Sequence, residues 1–219
     1  MPLAVVNSVE SRQWQKAPDP FDATYSLNYL FTQTLPPPML TKILIGVAVV
    51  LALLLVAIAT RPSRFRYVRS ARIQAPPAVL FGLVNNLRKW RGWSPWEKLD
   101  PNLERIYDGP EAGVGATYAW KGNGNVGEGR MTIVGSQPNE RIDLKLEFFK
   151  PFTATNSADF VFKKIGAETE VTWSMEGNYN FMTKAIGLVM NMEKLCGGQF
   201  EEGLANMKQL AESEAKVGV

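Results

Sequence analysis

The sequence predicts an α+β fold: a curved antiparallel β-sheet around a long C-terminal helix, preceded by one transmembrane helix. Three observations predict it. Residues Ile43 to Ala59 read ILIGVAVVLALLLVAIA, with no charge and no strongly polar group. Residues 65–175 then break into short segments, several strictly alternating, separated by turn residues. Beyond Phe181 the pattern changes, and Phe200, Leu204, Met207 and Leu210 recur at three- and four-residue steps. Alternation marks strands, and the longer step marks one face of a helix.

The apolar run comes first. At a rise of ~1.5 Å per residue it spans ~26 Å, and Met39 to Thr41 extend it to roughly a bilayer core. Lys42 and Arg61 bracket it. A signal anchor over 39–61 is the favoured reading. A cleaved signal peptide is the second, because Ala57-Ile58-Ala59 has the form of a cleavage site. A buried core helix is the third, and little else in the chain is apolar enough to surround it. Five arginines follow the run (Arg61, Arg64, Arg66, Arg69 and Arg72), against Lys42 upstream. The positive-inside rule then places the C-terminal domain in the cytoplasm of a single-pass membrane protein. Residues 1–38 carry the Pro36-Pro37-Pro38 break and no periodicity, so they read as a poorly structured tail. The compact lead Met39-Leu40-Thr41-Lys42 makes Met39 an alternative start.

Length and composition narrow the rest. A chain of 219 residues has room for one domain plus extensions. The net charge of +3 does not point to nucleic acid. Positive charge is local, in the arginine cluster, where each charge near anionic lipid adds ~1 kcal/mol. The alternative is a stop-transfer flank followed by solvated strand residues. Cys196 is the single cysteine, which excludes an intrachain disulfide. The chain has no histidine, which removes the usual general base and every Ser-His or Cys-His nucleophile. With neither histidines nor paired cysteines, no zinc site is expected, nor any other metal or cofactor.

The elements of the domain follow in order. Phe65 to Ile73 is a strand ending at Ala75-Pro76-Pro77, where proline opens a short helix through Val84. Residues 88–96, RKWRGWSPW, form a tight turn or short helix. Strands are then expected over 103–107, 116–120, 127–134, 141–148, 153–162 and 170–175, the first three ended by Asp108-Gly109-Pro110, Gly122-Asn123-Gly124 and Gln137-Pro138-Asn139. The stretch Arg141 to Phe148 alternates most cleanly: Ile142, Leu144, Leu146 and Phe148 face one way, and Arg141, Asp143, Lys145 and Glu147 the other. Asn180 is the expected N-cap of a helix beginning at Phe181, and Gly197-Gly198 lets the terminal helix approach the sheet or kinks it. Such a helix and a curved sheet do not mate fully, so a cavity is expected between them.

This order resembles the helix-grip fold of the START-like, or SRPBCC, superfamily. The local sequences are similar to its polyketide cyclase/dehydrase branch. They are the strand leading to Ala75-Pro76-Pro77, Trp90 through Trp93-Ser94-Pro95-Trp96, Gly113-Val114-Gly115-Ala116, Gly127-Glu128-Gly129-Arg130-Met131, Thr172-Trp173, and Gly203-Leu204 in the terminal helix. The resemblance covers 62–213, leaving 214–219 as a tail. It points to the fold more specifically than to any activity. It implies a hydrophobic ligand, and in some members cyclisation or dehydration. The superfamily has no universal catalytic residue, so none is assigned.

Gly122-Asn123-Gly124-Asn125-Val126-Gly127 matches G-x-G-x-x-G, but a strand follows where a dinucleotide site needs a helix, so a hairpin turn is expected. Trp90, Trp93 and Trp96 either cap the core or gate a pocket. Glu128, Arg130, Glu147, Asp159 and Glu176 are the candidate acid/base groups, and alternation reads them as solvated charges or cross-strand pairs. Tyr118, Trp120, Phe148, Phe160, Trp173 and Met175 share the inner face and are the expected ligand contacts, unless they fill a solid core. Asn156 shares that face and is the expected polar contact, or satisfies a neighbouring backbone group instead.

Three functions compete. A membrane-anchored binding or carrier module for a lipid-like or polyketide-like molecule comes first, with membrane lipids as a second partner. A cyclase or dehydratase acting on a hydrophobic substrate comes second and needs an acid or base at the cavity. A protein-interaction module comes third.

Overall fold

The structure, a computed structural model, describes residues 37–217, so the expected N-terminal tail lies outside the described residues as far as residue 36. The chain divides into two units, one up to Leu55 and one from Val56 onward.

Helix α1 (Pro37–Ala59) has 23 residues and is about 35 Å long. It begins two residues before Met39, because Pro37 and Pro38 sit in the first turn, where a missing N–H is harmless. Among the described residues it is the one helix long and apolar enough to cross a membrane, and 6 % of its apolar window is buried.

The second unit is a seven-stranded antiparallel sheet in the order β1-β7-β6-β5-β4-β3-β2. The strands are β1 (Arg64–Ile73), β2 (Glu104–Asp108), β3 (Thr117–Lys121), β4 (Glu128–Gln137), β5 (Arg141–Lys150), β6 (Ala154–Ile165) and β7 (Glu168–Asn178). Every expected strand is present, and most run a few residues longer than the sequence indicated. The inner face buries Ile133, Ile142, Leu144, Ala158, Phe160 and Trp173. The outer face carries ion pairs: Arg130 with Glu147 at 2.7 Å, Lys145 with Glu147 at 2.9 Å, and Lys150 with Glu128 at 2.9 Å. The Lys145 and Arg130 contacts hold the Glu147 carboxyl below the usual carboxylate range.

Helix α2 (Pro77–Asn85) opens on proline and buries Leu80, Leu83 and Val84. Two 3₁₀ turns follow, Leu87–Gly92 and Pro95–Lys98. They turn Trp90 and Trp93 inward, and the indole nitrogens donate to Val84 O at 3.0 Å and Leu83 O at 3.2 Å. Such bonds satisfy the polar end of a buried tryptophan. The glycine-rich hexapeptide is a hairpin turn, with Gly122 N donating to Gly127 O at 2.8 Å.

The C-terminal segment differs from the expected single helix. Asn180 caps α3 (Phe181–Ile186) as expected, its side chain accepting from Thr183 N at 2.8 Å. The chain then leaves the helix at Gly187 and restarts as α4 (Met192–Val217). The physical reason is a second cap. The Asn191 side chain accepts from Lys194 N at 3.0 Å, and Arg61 takes the Gly187 carbonyl at 2.9 Å.

Helix α4 buries Phe200, Leu204, Met207 and Ala211 against the sheet. Arg69 of β1 grips it through Glu193 at 2.8 Å and Glu201 at 2.6 Å. The Arg69 side chain lies where a side chain on Gly197 would stand, so this glycine permits the close approach. Arg69 is therefore engaged within the domain, as is Arg72, 3.9 Å from Glu170.

Candidate functional site

A cavity of about 320 Å³ lies between the inner face of the sheet, α4 and the second 3₁₀ turn. Strand register builds its walls. Tyr118 pairs with Met131, Met131 with Leu146, Leu144 with Ala158, and Ala158 with Met175. All six side chains reach the space. Trp120, Gly129 and Phe148 form the adjoining row. Gly129 matters here because a Cβ at this position would meet the Trp120 ring. Its absence leaves room for the ring, which meets Phe148 edge-on with centroids 5.9 Å apart. The opposite wall is Trp173 stacked on Phe200, 4.2 Å apart and nearly parallel, together with Trp90, Trp96 and Cys196. Burial pushes the Cys196 thiol up, so it stays protonated and a poor nucleophile. Asn125, Val126, Lys150 and Pro151 close the end formed by the β3–β4 and β5–β6 loops.

Five of the seven expected contacts line this cavity: Tyr118, Trp120, Phe148, Trp173 and Met175. Phe160 lies outside the lining. It is fully buried against Trp90, Trp93 and Trp173, with its ring stacked on Trp173 at 4.7 Å. Asn156 also lies outside the lining, although it pairs with Leu146 at the cavity's edge. It faces Gly177 and Phe65, and its Oδ1 is buried with no hydrogen-bond partner among the described residues. The tryptophans divide between the two expected roles: Trp90 and Trp96 line the space, and Trp93 is solid core with no exposed area.

One residue of the cavity wall escaped the sequence reading. Glu97, in the turn Pro95–Lys98, lines the cavity with its side chain 7 % accessible. Its Oε2 accepts from Arg105 Nε at 2.6 Å and its Oε1 from the Tyr118 hydroxyl at 2.8 Å. Burial, then this bond, push the Tyr118 phenol far above its ordinary range. The residue type and the run Trp93-Ser94-Pro95-Trp96 were visible. The inward direction was not, because a 3₁₀ turn has no period long enough to read.

The carboxylates singled out from sequence do not meet the cavity. Glu128, Glu147 and Asp159 pair with Lys150, Arg130 and Arg141 on the outer face. No group of three or more metal-ligating side chains occurs among the described residues. The cavity therefore offers an aromatic and aliphatic enclosure, with the Glu97 carboxylate and its bonded Tyr118 phenol on one wall and Asn125 and Lys150 at the loop end. A wider depression of about 780 Å³, on the outer face near Arg64, Lys145 and Glu176, is open and bordered by charges. Enclosure and apolar walls favour the inner cavity as a small-molecule site.

Comparison with known proteins agrees with the fold. No curated protein matches the chain in sequence. Among solved structures, the di-domain ARO/CYC BexL from the BE-7585A biosynthetic pathway is similar, with a TM-score of 0.53 and 15 % identity over 71 % of this chain and 52 % of that one. Protein MLL2253 from Mesorhizobium loti aligns with a TM-score of 0.51 and 12 % identity, over 68 % of this chain and 98 % of that one. The major latex-like protein 151 from Panax ginseng aligns with a TM-score of 0.51 and 14 % identity, over 68 % and 99 %. These likenesses show the shared fold. Residues 64–212 match the family profile described as polyketide cyclase/dehydrase and lipid transport, and the chain therefore belongs to that family, with a helix-grip domain of START-like type.

Proposed function

We propose that this protein is a membrane-anchored module that holds a hydrophobic small molecule in the cavity between sheet and terminal helix. The observation that carries the reading is the partly enclosed space of about 320 Å³ with aromatic and aliphatic walls. Tyr118, Trp120, Phe148, Trp173 and Met175 contact the ligand, and Phe160 supports Trp173 from behind. Helix α1 supports the anchor, and the arginines after it support a cytoplasmic domain. The tether is useful because such a ligand partitions into the bilayer beside the domain. Lipid transport in the family description fits the same role.

The test is gentle extraction of the full chain into nanodiscs, followed by native mass spectrometry of anything that co-purifies. A stoichiometric apolar molecule is expected. An empty protein that also refuses a fluorescent fatty-acid probe overturns the reading and puts a protein-interaction module ahead. A cyclase or dehydratase is the second reading, favoured by Glu97 and Tyr118 at the wall of an apolar space. It predicts that an added substrate of that class loses water (dehydration) or keeps its mass and changes its absorbance (ring closure) on incubation with the protein and not with Glu97→Gln.

A further inference from the structure

We infer that Glu97 selects the polar end of the ligand: the cavity takes an apolar molecule carrying a neutral hydroxyl, an alcohol or phenol, and rejects one ending in a carboxylate. The inference rests on the cavity being a ligand site.

The argument is one of donors and acceptors. A carboxylate offers about four lone-pair positions. Glu97 uses one for Arg105 at 2.6 Å and one for Tyr118 at 2.8 Å. It borders the cavity, whereas Arg105 is outside the lining and stands behind it. The group facing the space is thus an anionic acceptor with its counter-ion at its back. The donors in contact with Glu97 or behind it are committed: Arg105 Nη1 to Leu103 O at 2.8 Å and the Tyr118 hydroxyl to Glu97, while the one cation of the lining among the described residues, Lys150, stands at the loop end and pairs with Glu128 at 2.9 Å. A ligand group set against Glu97 must bring a proton. A carboxylate would set two like charges side by side in an enclosed apolar space. An ammonium would bury a positive charge that Arg105 has already balanced. A hydroxyl donates one hydrogen bond to a charged acceptor and gives up little hydration.

The experiment is calorimetric titration of the full chain in nanodiscs with naphthol, methoxynaphthalene and naphthoate, with empty discs subtracted. The shared skeleton keeps apolar burial nearly constant. Naphthol is expected to bind about tenfold or more tightly than the ether, the worth of one hydrogen bond to a charged group. Naphthoate is expected to bind weakest. In Glu97→Gln the hydroxyl preference shrinks and naphthoate gains, because the acceptor has lost its charge. Should that variant fail to fold, Tyr118→Phe frees one acceptor position and should raise the preference for naphthol. Ether and alcohol binding alike in the parent, naphthoate binding best, or an unchanged preference in both variants overturns the inference and leaves the cavity reading standing. A parent that binds none of the three overturns the cavity reading itself.

Discussion

Tyr118 donates its hydroxyl to Glu97 at 2.8 Å, joining β3 of the sheet to the turn that follows the tryptophan cluster. The bond fixes a buried carboxylate at the edge of an apolar space, and it ties the ionisation of the phenol to the fold.

The first prediction concerns alkaline stability. Burial, and then the bond to Glu97, raise Tyr118; burial, and then the bond to Tyr179, raise Tyr67 in the same direction. For a group whose folded value is raised, the stabilisation is complete below the unfolded value, about pH 10 for tyrosine, and is lost as pH climbs above it. The thermal midpoint should therefore fall above that point, and these two phenolates should appear only together with loss of the circular dichroism of the fold. Tyr118→Phe should flatten the decline. A phenolate titration near pH 10 of every tyrosine in the folded protein would refute this account.

Ala158→Leu tests whether the inner space is open. Ala158 is 5 % exposed, borders the cavity, and pairs with Leu144 and Met175. Added methylenes have somewhere to go, so stability should change by less than ~1 kcal/mol while probe binding weakens. A solid core would instead be overpacked, with a loss of ~1–3 kcal/mol. Chemical denaturation read alongside titration with a fluorescent fatty-acid probe separates the two.

These residues also show what was legible in the sequence. Strand alternation put Tyr118, Trp120, Phe148, Trp173 and Met175 on one face, and the structure brings all five to one cavity. Alternation assigns a face but not a position along the sheet. Phe160 shares that face, yet it lies beneath Trp90 and Trp93, where the space is filled. Asn156 shares it too, beside Gly177, where a missing side chain leaves room for the amide. Glu97 was hidden because its direction depends on a turn and on Arg105 eight residues later. The break at Gly187 was hidden because Asn191 acts as a cap only once the chain has turned there.

Gly203→Ala should destabilise the domain by ~1–3 kcal/mol. A Cβ at this position would stand 2.9 Å from the Trp173 ring and 3.2 Å from Pro95 Cδ. The ring cannot give way, being stacked between Phe200 and Phe160. The gain in helix propensity, up to ~1 kcal/mol, does not offset the clash. Gly197→Ala is the control on the same helix. Its Cβ would meet only the end of the Arg69 side chain, which can swing aside; that gives up two ion pairs to exposed glutamates, and the gain in helix propensity offsets their small worth, so the change should be close to neutral. Equal effects of the two substitutions in urea denaturation would show that α4 does not bear on Trp173.

The last prediction concerns the tether. Helix α1 carries no charge from Ile43 to Ala59, so if it is the proposed anchor, leaving a bilayer would expose its whole apolar surface to water. Alkaline carbonate should leave the full chain in the membrane pellet. Five arginines follow the helix, and the positive-inside rule counts them as the chain inserts, before Arg69 finds Glu193 and Glu201 in the folded domain. A reporter fused at the C-terminus should therefore give a cytoplasmic signal. Exchanging Arg61, Arg64 and Arg66 for glutamine while adding lysines before Met39 should shift a fraction of the molecules to the opposite orientation. A soluble protein whose mature N-terminus is Thr60 would show that Ala57-Ile58-Ala59 is a cleavage site, and the anchor would be withdrawn while the cavity reading stood.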